Sequence, residues 1–557
     1  MPISYVLTLG FLLPSGALAS VVILASCQLP VASRQWASFF APKFFDPTQA
    51  YLPIYLIAMN SPVQTPRPEE IELKLALLTA DPQDLAKRLA RVPVLARCVA
   101  AHQQLHNIYY DTPRQDLYEE RVALRLRRVG TGANLQWLQT LKMGGRSDSA
   151  LSHRGEWEVP APDAGLAREA LEATPWPEFD PDGSVFEALV PCLVTAFERT
   201  SWPVRKRGGS VVEVSLDIGQ IVAGDKTASV CELELELLAG HPAALFEVAR
   251  QIAKILPVLP LNISKSERGY ALLQDSLNQP LRANPPPLTG RMSLPVAAQA
   301  VLREMFCQFT TNLNLLRSSE DPAVLHQARV GWRRFKSAVR LFKPELAADT
   351  VPSWKALDTL LIFIGELRDF DVARFDTLPR FANAYTAAST QRQAKWQELL
   401  TAMNEAAALR RRSICHALEV PAVGVTLLAM TQWLEELPAQ NSPDDAKPSQ
   451  KNALRHWARE RIARLHKKME TALKDTAHPE SLHQARLLAK RLRYAIEALH
   501  PVLPKHQAKR WLKQAIQLQT DIGMTRDVHQ AGVLASQMET DTGLAEFLRG
   551  LAIGQGA

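Results

Sequence analysis

Charged residues in the first half of the chain alternate with apolar residues, and two of these runs carry charges of one sign. Glu232, Glu234 and Glu236 alternate with leucines, and Arg125 and Arg127 do the same in another run. Residues i and i+2 share one face of a β-strand, so each set lies on one side of its strand. Like charges at this spacing repel unless a group of opposite sign lies between them. A divalent cation would neutralise the carboxylates, and a phosphate chain would neutralise the guanidinium groups.

The simpler interpretation of each run is an antiparallel strand with one face in water and the other on a core. Solvated faces usually mix both signs of charge with serine, threonine and glutamine, whereas these faces are dominated by one sign. The distribution therefore favours a charged interior. Similar alternation recurs in three further predicted strands: Glu70 to Lys74, Arg154 to Glu158, and Glu213 to Asp217.

The order of these elements resembles the CYTH superfamily, the triphosphate tunnel metalloenzymes. A single E-x-E-x-K such as Glu70-x-Glu72-x-Lys74 is weak evidence, but a whole series in the family's order is specific. The series continues with Tyr109–Thr112, Ala123–Arg127, Thr140–Lys142, Arg154–Glu158, Glu198–Arg199, Asp217, Glu232–Glu236 and Ser264–Ser266. The resemblance implies an eight-stranded antiparallel β-barrel with a polar interior as active site and helices covering its apolar outer face.

The resemblance also implies roles for individual residues. Phosphoryl transfer depends mainly on positioning and charge neutralisation; arginine suits bidentate phosphate contact and lysine acts as a point charge. The implied phosphate-binding residues are Lys74, Arg125, Arg127, Lys142, Arg154, Arg199 and Lys265. The implied ligands of Mg²⁺ or Mn²⁺, which prefer oxygen donors, are Glu70, Glu72, Asp217, Glu232 and Glu234.

The predicted catalytic set is Glu70, Glu72, Lys74, Glu156 and Glu158. One metal ion would bridge the phosphate chain and a second would activate the attacking water, while Glu156 and Glu158 would add a ligand or orient that water. Glu236 and Arg154 could equally be salt-bridged residues of the barrel wall. Asp111 is expected to shape a turn rather than to take part in chemistry.

The second half of the chain is predicted to be a duplicated helical bundle. Its apolar residues follow helical periodicity from about Leu294 onward. The run Leu325–Arg329 recurs as Leu482–Arg486, and Gly365–Asp369 is echoed by Gly523–Asp527 at nearly the same offset. Two separate matches at nearly the same offset indicate an internal repeat.

One predicted helix in each repeat carries a basic face. His326, Arg329, Arg333, Lys336 and Arg340 follow spacings of three and four residues, which place them on one side of a helix. His483, Arg486, Lys490 and Arg493 repeat this face in the second copy. A solvated surface is the ordinary explanation of such a run. However, like charges at these spacings destabilise a helix, and a bound polyanion would relieve that cost.

These helices resemble the CHAD domain, a helical module of two similar halves that is often attached to CYTH domains. Its His-x-x-Arg-x-x-x-Arg-Arg pattern occurs from His326 to Arg334, and the second copy has Lys490-Arg491 in place of the arginine pair. Its Arg-Asp-x-Asp-Val element occurs from Arg368, whereas the copy at Arg526 lacks the second aspartate. The resemblance implies binding of long-chain polyphosphate by His326, Arg329, Arg333, Arg334, Lys336, Arg340, His483, Arg486, Lys490, Arg491 and Arg493. A metal site at the histidines is less favoured, because no third ligand lies at a suitable spacing.

Length and composition fit an α+β protein with more than one domain. The chain has 557 residues, 47% of them hydrophobic and 22% charged, with a net charge of +7. The six cysteines form no C-x-x-C pair, which argues against a disulfide framework and a thiolate zinc site and indicates a reducing, cytoplasmic location. The predicted divisions are an extension (1–65), the barrel (66–275), a proline-rich semi-rigid linker (276–293) and the helical domain (294–552), with repeats at about 294–437 and 450–552.

The N-terminal extension allows several interpretations. The segment from Tyr5 to Cys27 is apolar, but no lysine or arginine precedes it, and Pro14 and Gly16 interrupt it. Leu24–Cys27 resembles a lipoprotein processing site, so export or a membrane anchor stays an alternative. The favoured interpretation is a disordered extension or a translation start that truly lies at Met59, and no stable membrane partner is expected.

The sequence therefore predicts a metal-dependent hydrolase that cleaves inorganic triphosphate to pyrophosphate and phosphate, with a polyphosphate-binding helical domain. The enzyme alternatives are hydrolysis of thiamine triphosphate and cyclisation of ATP, both of which would need a pocket for an aromatic group. The non-enzyme alternative is a polyphosphate-binding or granule-associated protein, which the carboxylates disfavour. Nucleic acid is an unlikely partner, because no aromatic residues are interleaved with the basic faces for base stacking.

Overall fold

The structure is a computed structural model that describes residues 4–12, 18–26 and 69–556, except 79–81, 83, 131–134, 146–147, 347–349, 388, 438–451, 475–478 and 539–541. By its contacts the chain divides into two compact units, Met1–Thr65 and Pro66–Ala557. The first unit contains the antiparallel strands β1 (Ser4–Leu12) and β2 (Leu18–Ser26). Its other residues, including Met59, lie outside the described ranges.

Eight antiparallel strands in the second unit form a closed barrel, as the sequence predicts. In spatial order β10, β9, β8, β4, β5, β6, β7 and β3 are neighbours, and pairing of β10 with β3 closes the barrel; the short β11 extends β3. The strands are β3 (Glu69–Leu77), β4 (Ala101–Asp111), β5 (Val122–Val129), β6 (Gln136–Met143), β7 (Leu151–Ala161), β8 (Val190–Arg205), β9 (Val211–Ala223), β10 (Lys226–Ala239) and β11 (Val258–Pro260).

Both faces of several barrel strands are buried, and this follows from the alternation in sequence. On β3 the charged side chains Glu72 and Lys74 and the intervening Leu73 are all at most 5% exposed. The leucine belongs to an apolar cluster on the outside of the barrel, which is covered by helices α1 (Leu85–Ala90) and α5 (Ala243–Ala253). The charged face therefore points into the barrel.

Helix α6 (Lys265–Leu273) lies against an apolar cluster inside the barrel. Its first turn is fixed by a capping box, in which Ser264 and Glu267 each accept a backbone hydrogen bond from the other. Tyr270 and Leu272 of this helix pack with the cluster members Tyr109, Leu193, Ile221, Ala223 and Val230. Three short helices flank the barrel: α2 (Asp116–Glu119), α3 (Trp176–Phe179) and α4 (Ser184–Glu187).

The second half of the unit is helical, again as predicted. Its helices are α7 (Leu294–Leu315), α8 (Pro322–Phe342), α9 (Asp358–Asp371), α10 (Ala382–Thr386), α11 (Thr390–Leu418), α12 (Pro421–Glu436), α13 (Ala453–Leu473), α14 (Pro479–Leu499), α15 (Lys505–Gln537) and α16 (Thr542–Gly556), with a π-helical segment at Val372–Thr377. No single helix in the described ranges is long and apolar enough to cross a membrane; the bent pair α11–α12 reaches that threshold only jointly.

The duplication in sequence corresponds to paired helices in the structure. Helices α7 and α8 pack together in the first repeat, as α13 and α14 do in the second. The two repeats meet where α8 contacts α14 and where α9 contacts α15. Trp332 and Phe335 on the apolar face of α8 belong to one large core that includes Leu492 and Ile496 of α14.

Apolar side chains of the barrel pack into the core of the helical domain, and an apolar side chain of the helical domain packs against the barrel. Leu428 of α12 belongs to the outer cluster of the barrel, while Leu78 and Leu259 from the barrel belong to the helical core. A Cβ atom on Gly424 would lie 2.4 Å from the carbonyl oxygen of Val258, so only glycine allows α12 to approach β11 this closely. The proline-rich segment at 276–293 also packs against α7, where Leu281 and Asn312 exchange hydrogen bonds.

Candidate functional site

Three carboxylates from adjacent strands converge inside the barrel. Asp217 on β9 lies opposite Glu232 on β10, and Glu234 follows on the same inner face. One oxygen from each carboxylate lies within 4.8 Å of the other two. Asp217 is completely buried and Glu232 is 1% exposed. These are three of the five residues predicted as metal ligands.

Cations surround this carboxylate group. Lys265 Nζ lies 2.7 Å from Asp217, 2.6 Å from Glu232 and 2.7 Å from Glu234. Arg199 donates two hydrogen bonds of 2.7 Å to Asp217 and also contacts Glu234. Arg268, which the sequence analysis did not single out, lies 2.8 Å from Glu232. It follows Lys265 by three residues on α6, and that helical spacing was the signal that could have found it.

The paired charges stabilise each other's ionised forms. Burial disfavours a charged carboxylate, yet Lys265 and Arg199 lower the pKa of Glu234 well below its usual value. Burial likewise opposes a charged ammonium, but Asp217, Glu232 and Glu234 raise the pKa of Lys265. Glu234 and Lys265 are therefore both ionised at neutral pH.

Glu70 and Glu72 lie in a second cluster on β3 rather than in the group of three converging carboxylates. Glu70 accepts hydrogen bonds of 2.7 Å from Lys142 and from Arg154. Glu72 contacts Lys74 and lies 3.3 Å from Arg154. Burial and the nearby Glu234 raise the pKa of Glu72. Arg154 thus bridges two carboxylates. This arrangement fits the alternative interpretation of Arg154 as a salt-bridged residue of the barrel wall.

The cations of β5 and β6 extend the second cluster through the two carboxylates of β7. Glu156 lies 3.3 Å from Arg125 and 3.0 Å from Lys142. Glu158 accepts a 2.8 Å hydrogen bond from Thr140 and lies 3.6 Å from Arg127. Burial and the charge of Arg125 lower the pKa of Arg127 to about 10. Predicted phosphate-binding and catalytic residues therefore meet on one inner wall.

Three other polar residues border the tunnel, of which Tyr109 and Asp111 are buried and Glu236 is partly buried. Glu236 lies opposite Glu72 on β3 and Glu213 on β9, and burial together with Glu70 and Glu72 raises its pKa to about 8. Tyr109, whose motif was noted without a role, lies opposite Arg125; burial opposes the change, but Arg125 lowers its pKa. Asp111 accepts hydrogen bonds from the backbone N–H groups of three residues and from Tyr270 Oη, so it shapes the turn after β4 as expected.

A cavity of about 370 Å³ opens beside α6. Its lining includes the tunnel residues Lys74, Lys142 and Arg154, together with Ser149 of the β6–β7 connection and Asn262 before α6. This opening lies at the side of the barrel that faces the helical domain, because Ser149 and Asn262 both contact helices of that domain.

Cations from both helical repeats converge where α8 meets α14. Burial, together with the charges of Arg333, Arg486, Arg526 and Arg329, lowers the pKa of Lys490 to about 7. We call these five residues together with Arg368 the basic cluster; Arg368 acts on the pKa of Arg329. Arg368 and Arg526 lie in the repeated motif but were not predicted to bind phosphate.

The other predicted polyphosphate-binding residues have different surroundings. Arg334 is 2% exposed, lies 3.2 Å from Glu304 and donates a 2.5 Å hydrogen bond to Gln308, so it lies outside the basic cluster. Arg493 pairs with Glu497 at 2.8 Å. His326 is partly buried beside the cluster, and burial and Arg368 lower its pKa. Lys336 is partly buried, Arg340 and Arg491 are exposed, and the side chain of His483 lies outside the described residues.

The fold and the site define a class: a tunnel-shaped barrel lined by paired carboxylates and cations, joined to a duplicated helical bundle with a basic cluster. Comparison with protein families agrees. Residues 68–270 match the CYTH domain and residues 300–536 match the CHAD domain. The chain therefore contains a CYTH domain followed by a CHAD domain.

A curated relative aligns with part of the chain. The chain is 32% identical over 218 residues to a Haemophilus influenzae protein named inorganic triphosphatase, covering 38% of this chain and 58% of that protein. The solved CHAD domain from the plant Ricinus communis is 26% identical and covers 50% of this chain and 91% of its own, with a TM-score of 0.42. A Hippeastrum protein described as having a dominant triphosphatase activity is 22% identical and covers 36% of this chain and 95% of its own, with a TM-score of 0.28.

Proposed function

We propose that the barrel hydrolyses inorganic triphosphate to pyrophosphate and phosphate. The observation that carries this proposal is the convergence of Asp217, Glu232 and Glu234 in the same tunnel as Arg125, Arg127 and Lys142. Tripolyphosphate is a compact chain of negative charge, so it needs many cations and no large pocket for a base. The name of the Haemophilus influenzae relative supports the same substrate.

The carboxylate group fits a hard divalent ion. All three side chains offer only oxygen, the donor that Mg²⁺ and Mn²⁺ prefer, and their oxygens lie close enough together to share one ion. Asp217, Glu232 and Glu234 would hold this ion, and Glu72, which lies near enough to Glu234 for their charges to interact, would complete the ligand set. A bound ion would neutralise phosphate charge and lower the pKa of a bound water.

The protein's own side chains would bind and orient the phosphate chain. Arg125, Arg127, Arg154 and Arg199 can each give paired hydrogen bonds to phosphate oxygens, and Lys74, Lys142 and Lys265 add point charges. Their carboxylate partners hold these cations in place before substrate arrives. Such preorganised charges stabilise the transition state without reorganisation during the reaction.

Hydrolysis forms a bond from a water oxygen to the terminal phosphorus and breaks that phosphorus's bond to the bridging oxygen. The pyrophosphate leaves with that oxygen and takes up one proton of the water, while the other proton stays on the new phosphate. Glu156 and Glu158 would orient the water, because their carboxylates border the cations that grip the chain. Thr140, Arg125 and Arg127 keep Glu158 ionised, since together they lower its pKa against the effect of burial.

The assay is phosphate release from tripolyphosphate, pyrophosphate, ATP and thiamine triphosphate by the full chain, with Mg²⁺, with Mn²⁺ and with excess EDTA. We expect turnover of tripolyphosphate only when a metal is present. Preference for ATP or thiamine triphosphate would instead favour the alternative activities of the same barrel. Absence of turnover with every substrate would favour a binding protein.

For the CHAD domain we propose binding of long-chain polyphosphate at the basic cluster. Six cations from α8, α9, α14 and α15 interact with one another, with Asp369 and Asp527 as neighbouring acids, and a lysine among them is partly deprotonated at neutral pH. A polyanion would relieve this mutual repulsion and neutralise several charges at once. Isothermal titration of the full chain with polyphosphate tests this proposal directly.

A further inference from the structure

The backbone of Lys74 is held by two segments beside the cavity. Its N–H donates a 3.0 Å hydrogen bond to the carbonyl oxygen of Ala150, in the β6–β7 connection. Its carbonyl oxygen accepts a 2.9 Å hydrogen bond from the N–H of Leu261, which follows β11. A shift of either segment therefore moves the ammonium group that Lys74 directs into the tunnel.

Both segments are in turn bound by helices of the CHAD domain. Ser149, next to Ala150, donates a 2.5 Å hydrogen bond to Glu435 of α12, and Glu435 also pairs with Arg303 of α7. Asn262, next to Leu261, donates a 2.8 Å hydrogen bond to Thr310 of α7.

Of the two interdomain contacts, the one at Asn262 lies closer in sequence to a residue of the site. The Asn262 amide also lies 3.2 Å from the hydroxyl of Thr311, and its side chain is only 8% exposed. Two residues later Ser264 caps α6, whose first residue, Lys265, contacts all three converging carboxylates. The hydrogen bonds from Asn262 to α7 therefore act on two residues of the site. Asn262 is linked to Lys265 by three peptide bonds, and it adjoins Leu261, which is hydrogen-bonded to Lys74.

We propose that Asn262 and Ser149 are positioning residues through which the CHAD domain sets the placement of Lys74 and Lys265. This inference rests on the proposed triphosphatase function. The CHAD domain then supports the active site in addition to binding polyphosphate. Transition-state stabilisation depends steeply on placement, since a displacement of about 1 Å can cost about 100-fold in rate.

The competing explanation is that the contacts of Asn262 and Ser149 only hold the two domains together. Another contact in the same interface offers a matched control. Gln432 of α12 accepts a hydrogen bond from Arg250 of α5 on the outside of the barrel. It belongs to the same interface but contacts neither segment that holds Lys74. Gln432→Ala should therefore test adhesion alone.

The test compares full-length variants by steady-state hydrolysis of tripolyphosphate and by thermal unfolding. Thr310→Val with Thr311→Val removes both hydroxyl acceptors of Asn262. Ser149→Ala independently removes the contact with Glu435, together with the 3.2 Å hydrogen bond that the Ser149 hydroxyl accepts from the Leu151 N–H. We expect each variant to lose about 10-fold or more in kcat, with a melting temperature like that of Gln432→Ala. Serine at both threonine positions should restore the rate, because it restores the hydroxyl groups.

Each outcome has a distinct meaning. A parent protein that does not hydrolyse tripolyphosphate would refute the proposed function itself. An active parent whose double-valine and Ser149→Ala variants both keep the rate of Gln432→Ala would refute the positioning role. If the double-valine protein does not fold, the Ser149→Ala protein alone decides, because it leaves the Arg303–Glu435 pair in place.

Discussion

Lys265 and Asp217 form an ion pair of 2.7 Å in which the lysine side chain is 7% exposed and the aspartate is fully buried. A buried pair of this kind is strongly destabilised when one partner loses its charge, because the other charge is left uncompensated. The pair is nevertheless suited to catalysis, since a phosphate chain and a divalent ion can replace each partner's counter-charge when they bind.

Glu234→Gln and Glu72→Gln should each abolish turnover of tripolyphosphate while the fold is kept. The amide preserves the shape of each side chain but removes the charge that a divalent ion needs. Phosphate release and circular dichroism measure the two effects, and Glu187→Gln, at an exposed position on α4, is the control. Full activity of both tunnel variants, or of the parent protein in excess EDTA, would contradict the proposed mechanism.

Arg127→Ala should lower kcat/KM for tripolyphosphate, mainly by weakening substrate binding. Removal of one donor to a developing charge typically costs about 2.7–4 kcal/mol. The melting temperature should change little, since Arg125 repels Arg127 in the folded state. Initial rates over a range of substrate concentrations separate KM from kcat. An unchanged kcat/KM would indicate that Arg127 does not contact the substrate.

Binding of polyphosphate should weaken as the pH rises from about 6 to about 9. The pKa of Lys490 is about 7 in the free protein, and a bound polyanion would raise it, so binding takes up a proton in this range. Calorimetric titration in buffers of different ionisation enthalpy measures that proton. Lys490→Arg should remove most of the pH dependence, and uptake that is the same in this variant would exclude Lys490 as the proton acceptor.

The same lysine makes a second prediction, for stability without ligand. Its pKa is lower in the folded protein than in the unfolded chain, so folding disfavours the protonated form. Stability should therefore rise as the pH increases from about 7 toward about 10.4, the unfolded value. Thermal unfolding at several pH values, compared with Lys490→Met, checks the sign; the variant should show a flatter profile.

Replacing Arg329, Arg333 and Arg486 together by glutamine should reduce both the affinity for polyphosphate and its dependence on salt. Each neutralised phosphate releases a counterion, which gives a log–log slope of about −0.7 per contact if single-stranded nucleic acid is a fair guide. The matched control replaces three exposed cations of α13, namely Arg459, Arg464 and Lys467. Equal losses in the two triple variants would show that only net charge matters.

Charges that alternate with leucines, and single-sign runs such as Glu232 to Glu236, indicate strands with a charged interior. The eight-stranded barrel itself is predicted from the resemblance of the motif order to the CYTH family. The basic cluster could be predicted less completely. Neighbouring residues point about 100° apart on a helix, so Arg333 and Arg334 cannot both face it, and the structure pairs Arg334 with Glu304 instead. The contacts of Asn262 could not be predicted, because no pattern in the sequence links an asparagine to a threonine that is far away along the chain.

The leucines that each domain buries against the other affect how the protein unfolds. Separation would expose Leu428 from one side and Leu78 and Leu259 from the other, each now at most 7% exposed. Burial of one leucine side chain contributes roughly 1.5–3 kcal/mol, so three of them couple the domains strongly. Heating should then melt the barrel and the helical bundle together, in one calorimetric transition rather than two.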